Sequence, residues 1–302
     1  MKNIIEAIEK SNIGRIEKDV LLSKYTTYKV GGKAKVIVYP KNVDCLIKLM
    51  KIISNNNVKY KILGNGSNLL FSDKVYNGVI IRLTELNDIE FIGRNKIKVG
   101  AGYSLMKLSL LAAKKGLAGL EFASGIPGTI GGAVFMNAGA YKSDMGYIVK
   151  SVKVLTPDLK IITFENKEMN FHYRTSFLQT HKDYICLEVI LKLEKGDKAA
   201  LEEVIKERRK RRVESQPLEY PSAGSVFRNP QDMFAGKLIE DIGLKGKTIG
   251  GAKVSDKHAN FIINYKKAKS SDIKELIELV HDRVLEEYNV DMKIEQEFVN
   301  WE

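Results

Sequence analysis

The sequence predicts an α+β protein built from three lobes, and three observations support this prediction. Residues 36–63 contain a strand, a helix and a second strand, which is the pattern of a βαβ unit. Residues 79–193 contain short β-rich runs around a glycine-rich stretch, and a long amphipathic helix lies near the C-terminus. The expected lobes are 1–78 together with the C-terminal strand 292–302, then 79–200, and then 201–291.

The composition is that of a globular protein. The chain has 302 residues, 44% of them hydrophobic, which is enough for a substantial core. Cys45 and Cys186 lie far apart and have no partner at a metal-ligand spacing, so we expect no metal, no disulfide and a reducing compartment. The N-terminus has no long apolar run and no segment reaches membrane-spanning length. We therefore expect a cytoplasmic protein without a membrane partner.

The formal net charge of +12 indicates anionic partners, such as nucleic acid or phosphorylated small molecules. The densest basic run, 207–212, follows Leu201, Val204 and Ile205 at helical spacing, so we interpret it as the solvated end of an amphipathic helix. No nucleic-acid-binding motif is present and the aromatic residues are not interleaved with that run. A nucleic-acid partner is therefore not expected, and a basic DNA-binding protein is the weaker alternative.

The first lobe begins with a short leader helix. A strand is predicted at 36–39, and Asn42 caps the helix that follows. The predicted core face of this helix is Val43, Leu46, Ile47, Met50 and Ile53. A second strand at 60–63 completes the βαβ unit, which normally implies a parallel pair of strands with a right-handed crossover.

The second and third lobes are predicted from shorter patterns. Strands are expected at 79–82, 96–99, 152–155, 161–164 and 185–193, and a helix at 104–115. In the third lobe, a helix capped near Ser271 is expected, followed by a closing strand at 293–299. Its apolar stripe is Ile273, Leu276, Ile277, Val280, Val284 and Tyr288.

The first motif that could carry chemistry is GNGSN at 64–68, directly after a predicted strand. Glycines permit backbone conformations closed to other residues, and successive N–H groups in such a turn can receive phosphate oxygens. The motif is not a Rossmann fingerprint, because Leu69 stands at the third glycine position and no clear helix follows. On this motif alone, a purely structural β-turn is equally open.

The second motif places five glycines within 125–139. Pro127 suits the first turn of a helix, and the glycines would let an anion or a flat ring approach the backbone. The alternative is close helix packing through small residues. We favour binding, because packing needs glycine on one face whereas Gly131 and Gly132 are adjacent.

A series of longer motifs resembles one enzyme family. They are YTTYKVGGKAK, GNGSNLL, SGIPGTIGGAVFMNAGAY, YRTSFL, AGSVFRNP, GKLIEDIGLKG and KHANFIIN. In this order, from Tyr25 to the C-terminus, they resemble the UDP-N-acetylenolpyruvoylglucosamine reductases. The chain is similar to the shorter branch of that family, because only fifty residues separate Arg174 from Ser225, too few for the substrate-clamping insertion.

The resemblance implies noncovalent FAD between the first two lobes, in a fold of the vanillyl-alcohol-oxidase type (PCMH type). It also implies NADPH as reductant and a UDP-sugar as substrate, in a step of peptidoglycan precursor synthesis that serves cell-wall formation, cell shape and division. None of the four histidines falls in either main flavin loop, which agrees with noncovalent binding. The cofactor-binding residues implied are Val30, Gly31, Gly32, Gly64, Asn65, Gly66, Ser67, Asn68, Gly125, Ile126, Pro127, Gly128, Thr129, Gly131, Gly132 and Ala133.

The resemblance also assigns the catalytic roles. Ser225 matches the proton donor, Arg174 the residue that binds the substrate carboxylate, and Glu295 the carboxylate near the enolic carbon. Local patterns alone would make Ser225 a turn residue and the other two members of surface salt bridges. Relatives usually have Glu-Pro-Glu around Glu295, whereas this chain has Gln296, so a register error of two would select Glu297 instead.

The implied substrate-binding residues are Asn229, Tyr220 and Arg228, and no residue is identified for the missing clamp. One alternative is another FAD-dependent oxidase or dehydrogenase of the same superfamily, acting on an alcohol. It predicts a covalent flavin or strong oxygen use. We expect a monomer.

Overall fold

The structure is a computed structural model that describes residues 1–302, and the chain forms two compact units. Unit 1 consists of Met1–Lys18, Val36–Asn65 and Asn77–Lys210. Unit 2 consists of Asp19–Lys35, Gly66–Tyr76 and Arg211–Glu302. The predicted boundaries of the three lobes stay a prediction.

The α-helices are α1 (Lys2–Lys10), α2 (Val43–Asn55), α3 (Leu105–Lys114), α4 (Ile130–Phe135), α5 (Met145–Ile148), α6 (Phe177–Thr180), α7 (Lys198–Ser215), α8 (Ala235–Asp241) and α9 (Ser270–Tyr288). Three 3₁₀ helices cover Leu22–Lys24, Glu121–Gly125 and Asn166–Met169. None of the helices combines the length and the apolar composition that a bilayer crossing requires.

The strands up to the middle of the chain are β1 (Gly14–Leu21), β2 (Lys33–Pro40), β3 (Tyr60–Ile62), β4 (Leu69–Phe71), β5 (Tyr76–Ile81), β6 (Ile89–Ile92), β7 (Lys96–Gly100), β8 (Leu117–Ala118), β9 (Gly139–Ala140) and β10 (Ser143–Asp144). The remaining strands are β11 (Val149–Leu155), β12 (Ile161–Glu165), β13 (Ile185–Lys192), β14 (Glu194–Lys195), β15 (Thr248–Ile249), β16 (Ala252–Val254), β17 (Ile262–Asn264) and β18 (Glu297–Val299).

The predicted βαβ unit is present, but its two strands are not neighbours. The sheet order is β1-β2-β5-β3, so β5 lies between β2 and β3 and pairs in parallel with β3. The last three residues of β5 are fully buried, whereas all of β3 is half-buried, as expected for an interior strand and an edge strand. The expected cap is confirmed, since the Asn42 side chain accepts a hydrogen bond from the Cys45 N–H at 2.9 Å.

A five-stranded sheet in the order β12-β11-β13-β7-β6 forms the rest of the unit 1 framework, and its pairings are antiparallel. These strands include most of those predicted from the β-rich runs. The predicted helix at 104–115 is α3, whose N-cap is Ser104. The core of unit 1 includes residues of α2, α3, α4 and of this sheet.

The basic run lies in the second half of α7, as predicted. Leu201 and Ile205 are buried, Val204 is half-buried, and the run from 207 to 212 consists of exposed and half-buried side chains. The charge run is therefore the solvated part of an amphipathic helix.

Unit 2 contains the antiparallel sheet β15-β16-β17, and α9 shares its core with that sheet. The predicted apolar stripe of α9 is buried up to Val284. Tyr288 is 38% exposed, so its place in the stripe was wrong: no residue beyond Val284 is buried in this helix.

Helix α9 begins at Ser270, near the predicted position, and the Asp73 carboxylate accepts the N–H groups of Ser270 and Ser271, each at 3.0 Å. One further prediction for unit 2 needs correction. The closing strand is shorter than expected, because β18 contains only Glu297–Val299 and pairs in parallel with β4. Glu295 lies before the strand, since its own N–H donates to the Val226 carbonyl instead of to β4.

Candidate active site

The two glycine motifs meet at Gly64 and Thr129 within unit 1. A Cβ added at Gly64 would lie 2.8 Å from Thr129 Oγ1, so only glycine allows this approach without displacing the threonine. The same hydroxyl oxygen accepts the Gly132 N–H at 3.3 Å and caps α4. The Gly64 carbonyl in turn accepts a hydrogen bond from Arg82 Nη2 at 3.2 Å. Residues far apart in the sequence are thus brought side by side.

Gly128 has open space on the side where other residues carry a side chain. A Cβ at this position would meet no heavy atom within 4 Å, and the backbone is not in the left-handed region. Its N–H group and that of Thr129 donate to no acceptor of the chain. The fold itself therefore gives no reason for glycine here, and the free space and donors fit a flat, phosphate-bearing cofactor.

Two other glycines in this motif differ in their surroundings. Gly131 donates its N–H to the Ala101 carbonyl at 2.8 Å, and a Cβ there would lie 3.0 Å from Ala101 Cβ. Gly132 is exposed, and a Cβ there would meet only Thr129 Oγ1, at 3.4 Å. Gly131 thus packs closely against Ala101, whereas Gly132 borders open space.

The remaining residues of the motif lie around the start of α4. Gly125 ends a 3₁₀ helix, Ile126 donates its N–H to Ala123, and the buried Ala133 donates to the Thr129 carbonyl. The placement of Pro127 in a first helical turn was wrong. Helix α4 begins at Ile130, because the Thr129 side chain caps it there.

Arg174 is held close to the segment that follows α4. Its Nη2 donates to the Gly139 carbonyl at 2.9 Å. Its loop is anchored on both sides, since Ser176 Oγ donates to the Phe135 carbonyl at 2.7 Å and Asn137 Nδ2 donates to the His172 carbonyl at 2.8 Å. The same segment that continues the second glycine motif therefore positions the arginine.

Val30, Gly31 and Gly32 lie in unit 2 and are engaged within it. Val30 is 3% exposed, and the Gly32 N–H donates to the Ser72 carbonyl at 2.9 Å. A Cβ at Gly32 would lie 2.2 Å from the Lys74 carbonyl oxygen. A Cβ at Gly31 would lie 3.1 Å from Leu22 Cβ, so all three residues have a packing role, and their contact with the flavin stays a prediction.

The end of the first glycine motif, 66–68, also belongs to unit 2. Gly66 has φ of +62°, and a Cβ there would lie 2.4 Å from the Tyr25 carbonyl oxygen. The N–H groups of Gly66 and Ser67 donate to no acceptor of the chain. Asn68 instead contacts the C-terminal segment, as described next. Strand β4 follows directly, which confirms that no helix starts here.

Ser225 and Glu295 are brought together in unit 2. The Glu295 N–H donates to the carbonyl of Val226, the residue after Ser225, at 2.8 Å. Asn68 Nδ2 donates to the Glu295 carbonyl at 3.0 Å. Ser225 is half-buried, and its hydroxyl has no partner within the chain. A hydroxyl in this state is available to a ligand.

The three predicted substrate residues have separate surroundings. Asn229 is exposed, and its Oδ1 accepts the Ala235 N–H at 3.1 Å. Tyr220 packs against Tyr265 with ring centroids 5.5 Å apart. Arg228 lines a cavity of about 770 Å³ whose lining residues do not include Ser225 or Asn229.

Two residues of this region were not predicted as functional. Asn260 is 3% exposed and holds the backbone of Phe227, accepting its N–H at 2.9 Å and donating to its carbonyl at 2.8 Å. Gln296 is 4% exposed and contacts the Ser225 loop. Two features of the sequence could have identified these residues: Asn260 is part of the KHANFIIN motif, and Gln296 lies between two glutamates.

Comparisons with known proteins match most of the chain to one family. Residues 34–165 match the family model described as FAD binding domain, and 216–299 match the model of the UDP-N-acetylenolpyruvoylglucosamine reductase C-terminal domain. The chain is 45% identical over 299 residues to UDP-N-acetylenolpyruvoylglucosamine reductase of Anoxybacillus flavithermus, covering 99% of both chains. It is 42% identical over 299 residues to reductase 1 of Bacillus cereus, again covering 99% of both.

Solved structures give the same result. The crystal structure of UDP-N-acetylenolpyruvylglucosamine reductase from Thermus caldophilus has a TM-score of 0.80 and 36% identity, covering 94% of this chain and 98% of that one. A Phl p 4 variant, a glucose oxidase, has a TM-score of 0.50 at 14% identity over 65% of this chain and 44% of that one, which concerns the fold alone. The predicted α+β fold with a flavin unit of the vanillyl-alcohol-oxidase type is confirmed. The chain belongs to the UDP-N-acetylenolpyruvoylglucosamine reductase family, whose members are FAD-containing oxidoreductases.

Proposed function

We propose that the protein uses NADPH and FAD to reduce the enolpyruvyl group of UDP-N-acetylglucosamine enolpyruvate, giving UDP-N-acetylmuramate for peptidoglycan synthesis. The observation that carries this proposal is the contact between the two glycine motifs at Gly64 and Thr129, beside the open space at Gly128. This arrangement offers free backbone donors beside open space, as a phosphate-bearing cofactor requires. Family membership supports the same cofactor and the same substrate.

Gly64 to Asn68 and Gly125 to Ala133 are the residues proposed to hold FAD, noncovalently. Bound FAD supplies the two-electron chemistry, accepting a hydride from NADPH and giving one to an alkene carbon. The protein contributes binding, orientation and charge stabilisation. The basic excess of the chain, +12, is favourable because all three ligands carry phosphate groups.

Arg174 is proposed to bind the carboxylate of the enolpyruvyl group. A guanidinium pairs both oxygens of a carboxylate and keeps its charge at any working pH. When a hydride adds to the terminal alkene carbon, negative charge moves toward this carboxylate, and Arg174 stabilises it there. The loop is anchored on both sides of Arg174, which limits the movement of its backbone.

Ser225 is proposed to donate the proton that completes the reduction. Its hydroxyl hydrogen moves to the carbon adjacent to the carboxylate, the product is a lactyl ether, and the Ser225 oxygen then regains a proton from solvent. Glu295 is placed beside the same loop by its backbone hydrogen bond to Val226. We assign it, and not Glu297, the role of the catalytic carboxylate. Glu297 lies in β18, where its N–H donates to the Asn68 carbonyl.

The UDP end of the substrate is proposed to involve Tyr220 and Asn229. Tyr220 is 36% exposed, and the Nζ atoms of Lys253 and Lys266 lie 4.8 and 5.2 Å from the ring of its neighbour Tyr265. Aromatic rings can stack on a base and lysines can bind phosphates. Arg228 is left out of this proposal, because it lines a cavity whose lining residues include neither Tyr220 nor Asn229.

A coupled assay tests the proposed function. Under anaerobic conditions the purified yellow protein should oxidise NADPH beyond one equivalent only when the enolpyruvyl UDP-sugar is present, and mass spectrometry should show one molecule of product for each NADPH consumed in turnover. An alcohol oxidase of the same fold would instead consume oxygen with an alcohol, and its flavin could stay attached after denaturation. Either of those results, without product formation, would refute the proposal.

We also infer a cytoplasmic monomer. Cys45 and Cys186 are free thiols, as is usual in a reducing compartment. Burial raises the pKa of the Cys186 thiol to about 12, so this cysteine is expected to stay unreactive. Sedimentation velocity at assay concentration tests the monomer, and a sedimenting mass of two chains would contradict it.

A further inference from the structure

Gln296 is a buried amide with partners at both ends of its side chain. It is 4% exposed, and its Oε1 accepts the Tyr28 hydroxyl at 2.9 Å. Its Nε2 lies 3.3 Å from the carbonyl oxygen of Ala223 and 3.4 Å from those of Gly224 and Ser225. The loop that ends in Ser225 therefore curls around one amide group.

The orientation of this amide is determined by its surroundings. Three carbonyl oxygens can only accept, so the end of the side chain that faces them must be the NH2 group. The opposite orientation would place the amide oxygen against three other oxygens. Tyr28 is fully buried, and burial raises the pKa of its hydroxyl, which therefore stays protonated and donates to Oε1.

The backbone of Gln296 is fixed on both sides. Asn68 donates to the Glu295 carbonyl at 3.0 Å and accepts the Glu297 N–H at 3.0 Å. The Glu295 N–H is held by the Val226 carbonyl at 2.8 Å. Gln296 thus links two parts of the proposed site. Its main chain continues directly from Glu295, and its side chain is hydrogen-bonded to the Ser225 loop.

We propose that Gln296 is a positioning residue for the protonation step. Its amide holds the carbonyls of residues 223–225 so that the Ser225 hydroxyl and the Glu295 carboxylate keep one fixed arrangement while the proton is delivered. The inference rests on the proposed function, since it requires Ser225 to be the proton donor. Gln296 itself need not touch the substrate.

Stopped-flow measurement of the two half-reactions of the FAD-loaded protein tests this inference. In Gln296→Leu, flavin reduction by NADPH should stay within twofold of wild type, because the NH2 donor acts only on the Ser225 loop. Flavin reoxidation by the UDP-sugar should slow by about 10- to 100-fold, the range expected when a reacting group is misplaced by about 1 Å. Tyr28→Phe should slow the same step less, because the glutamine keeps its NH2 group.

Gln296→Glu adds a signature that a merely structural role would not produce. A protonated carboxyl can donate to the three carbonyls, whereas a carboxylate is repelled by them. Reoxidation by Gln296→Glu should therefore be fastest at acidic pH and should fall as pH rises, in a step that wild type lacks. The Gln296→Glu variant tests the inference even if Gln296→Leu does not fold. A pH profile of reoxidation identical to that of wild type would overturn the inference.

Asn95→Leu is the matched control. Asn95 lies in the turn between β6 and β7 of unit 1, where its Nδ2 donates to the Leu193 carbonyl at 2.8 Å and its own carbonyl accepts the Leu193 N–H at 2.8 Å. Its loss should lower stability without selectively slowing reoxidation. A folded Gln296→Leu with normal reoxidation, or with both half-reactions slowed equally, would overturn the positioning role. Normal reoxidation in Ser225→Ala would instead refute the proposed proton donor.

Discussion

The Gly128→Ala substitution should change the stability of the apoprotein and the affinity for FAD in opposite directions. The new methyl group meets no heavy atom of the chain within 4 Å, and the backbone is not left-handed. Replacing glycine at such a position restricts the unfolded chain and should stabilise the apoprotein by about 0.4–1 kcal/mol. The structure alone therefore predicts a neutral or stabilising substitution.

The proposed function predicts the opposite effect on FAD affinity. If the flavin occupies the space beside Gly128, the methyl group overpacks that contact, which typically costs about 1–3 kcal/mol. At 1.4 kcal/mol for each factor of ten, the Kd for FAD should rise by about 5- to 140-fold. Urea unfolding of the apoprotein and titration of FAD fluorescence measure the two effects separately.

Gly131→Ala is the control for the stability measurement. Its methyl group would lie 3.0 Å from Ala101 Cβ, so the apoprotein itself should lose about 1–3 kcal/mol of stability. An unchanged FAD Kd in a stable Gly128→Ala apoprotein would show that no ligand approaches this backbone, and the reasoning from open space would be refuted.

Three further predictions concern Ser225, Asp73 and His281. Ser225→Ala should keep flavin reduction by NADPH and lose reoxidation by the UDP-sugar, which single-turnover absorbance measures; normal turnover contradicts the role. Asp73→Ala removes the acceptor of two N–H groups at the start of α9 and should lower the free energy of unfolding by about 1–2 kcal/mol in urea titrations, with Asp73→Asn in between. Hydrogen bonds to Asp282 and Asp291 raise the pKa of His281 above 6.5, so its stabilisation is complete below about pH 6.5 and is lost as pH rises through the raised pKa. Wild type and His281→Gln should therefore differ more in unfolding free energy at pH 5.5 than at pH 9, and a constant difference would contradict the assignment.

Local signals in the sequence predicted much of the fold. Asn42 was identified as a helix cap because a cap and its helix are adjacent in the chain, and the structure confirms it. Asp73 could not be identified in this way, since it caps a helix that begins at Ser270, far along the sequence. Periodicity shows which face of an element is buried but not which strand lies next to it. The position of β5 between β2 and β3 was missed for this reason.

The candidate site also combines features that local sequence patterns reveal with features that depend on long-range contacts. The glycine motifs were visible in the sequence, but the contact between Gly64 and Thr129 depends on the packing of two distant segments. Gln296 attracted notice only as a departure from a family pattern. Its role became apparent from long-range hydrogen bonds to Tyr28 and to the loop of Ser225, which no local pattern encodes.

The central claim is that these glycine motifs hold a flavin which passes a hydride from NADPH to an unsaturated UDP-sugar. An anaerobic absorbance titration of the purified protein tests it most directly. One equivalent of NADPH should abolish the oxidised flavin spectrum, and one equivalent of UDP-N-acetylglucosamine enolpyruvate should restore it and yield UDP-N-acetylmuramate. A protein that binds no flavin, or whose reduced flavin is reoxidised by oxygen but not by this substrate, would contradict the account.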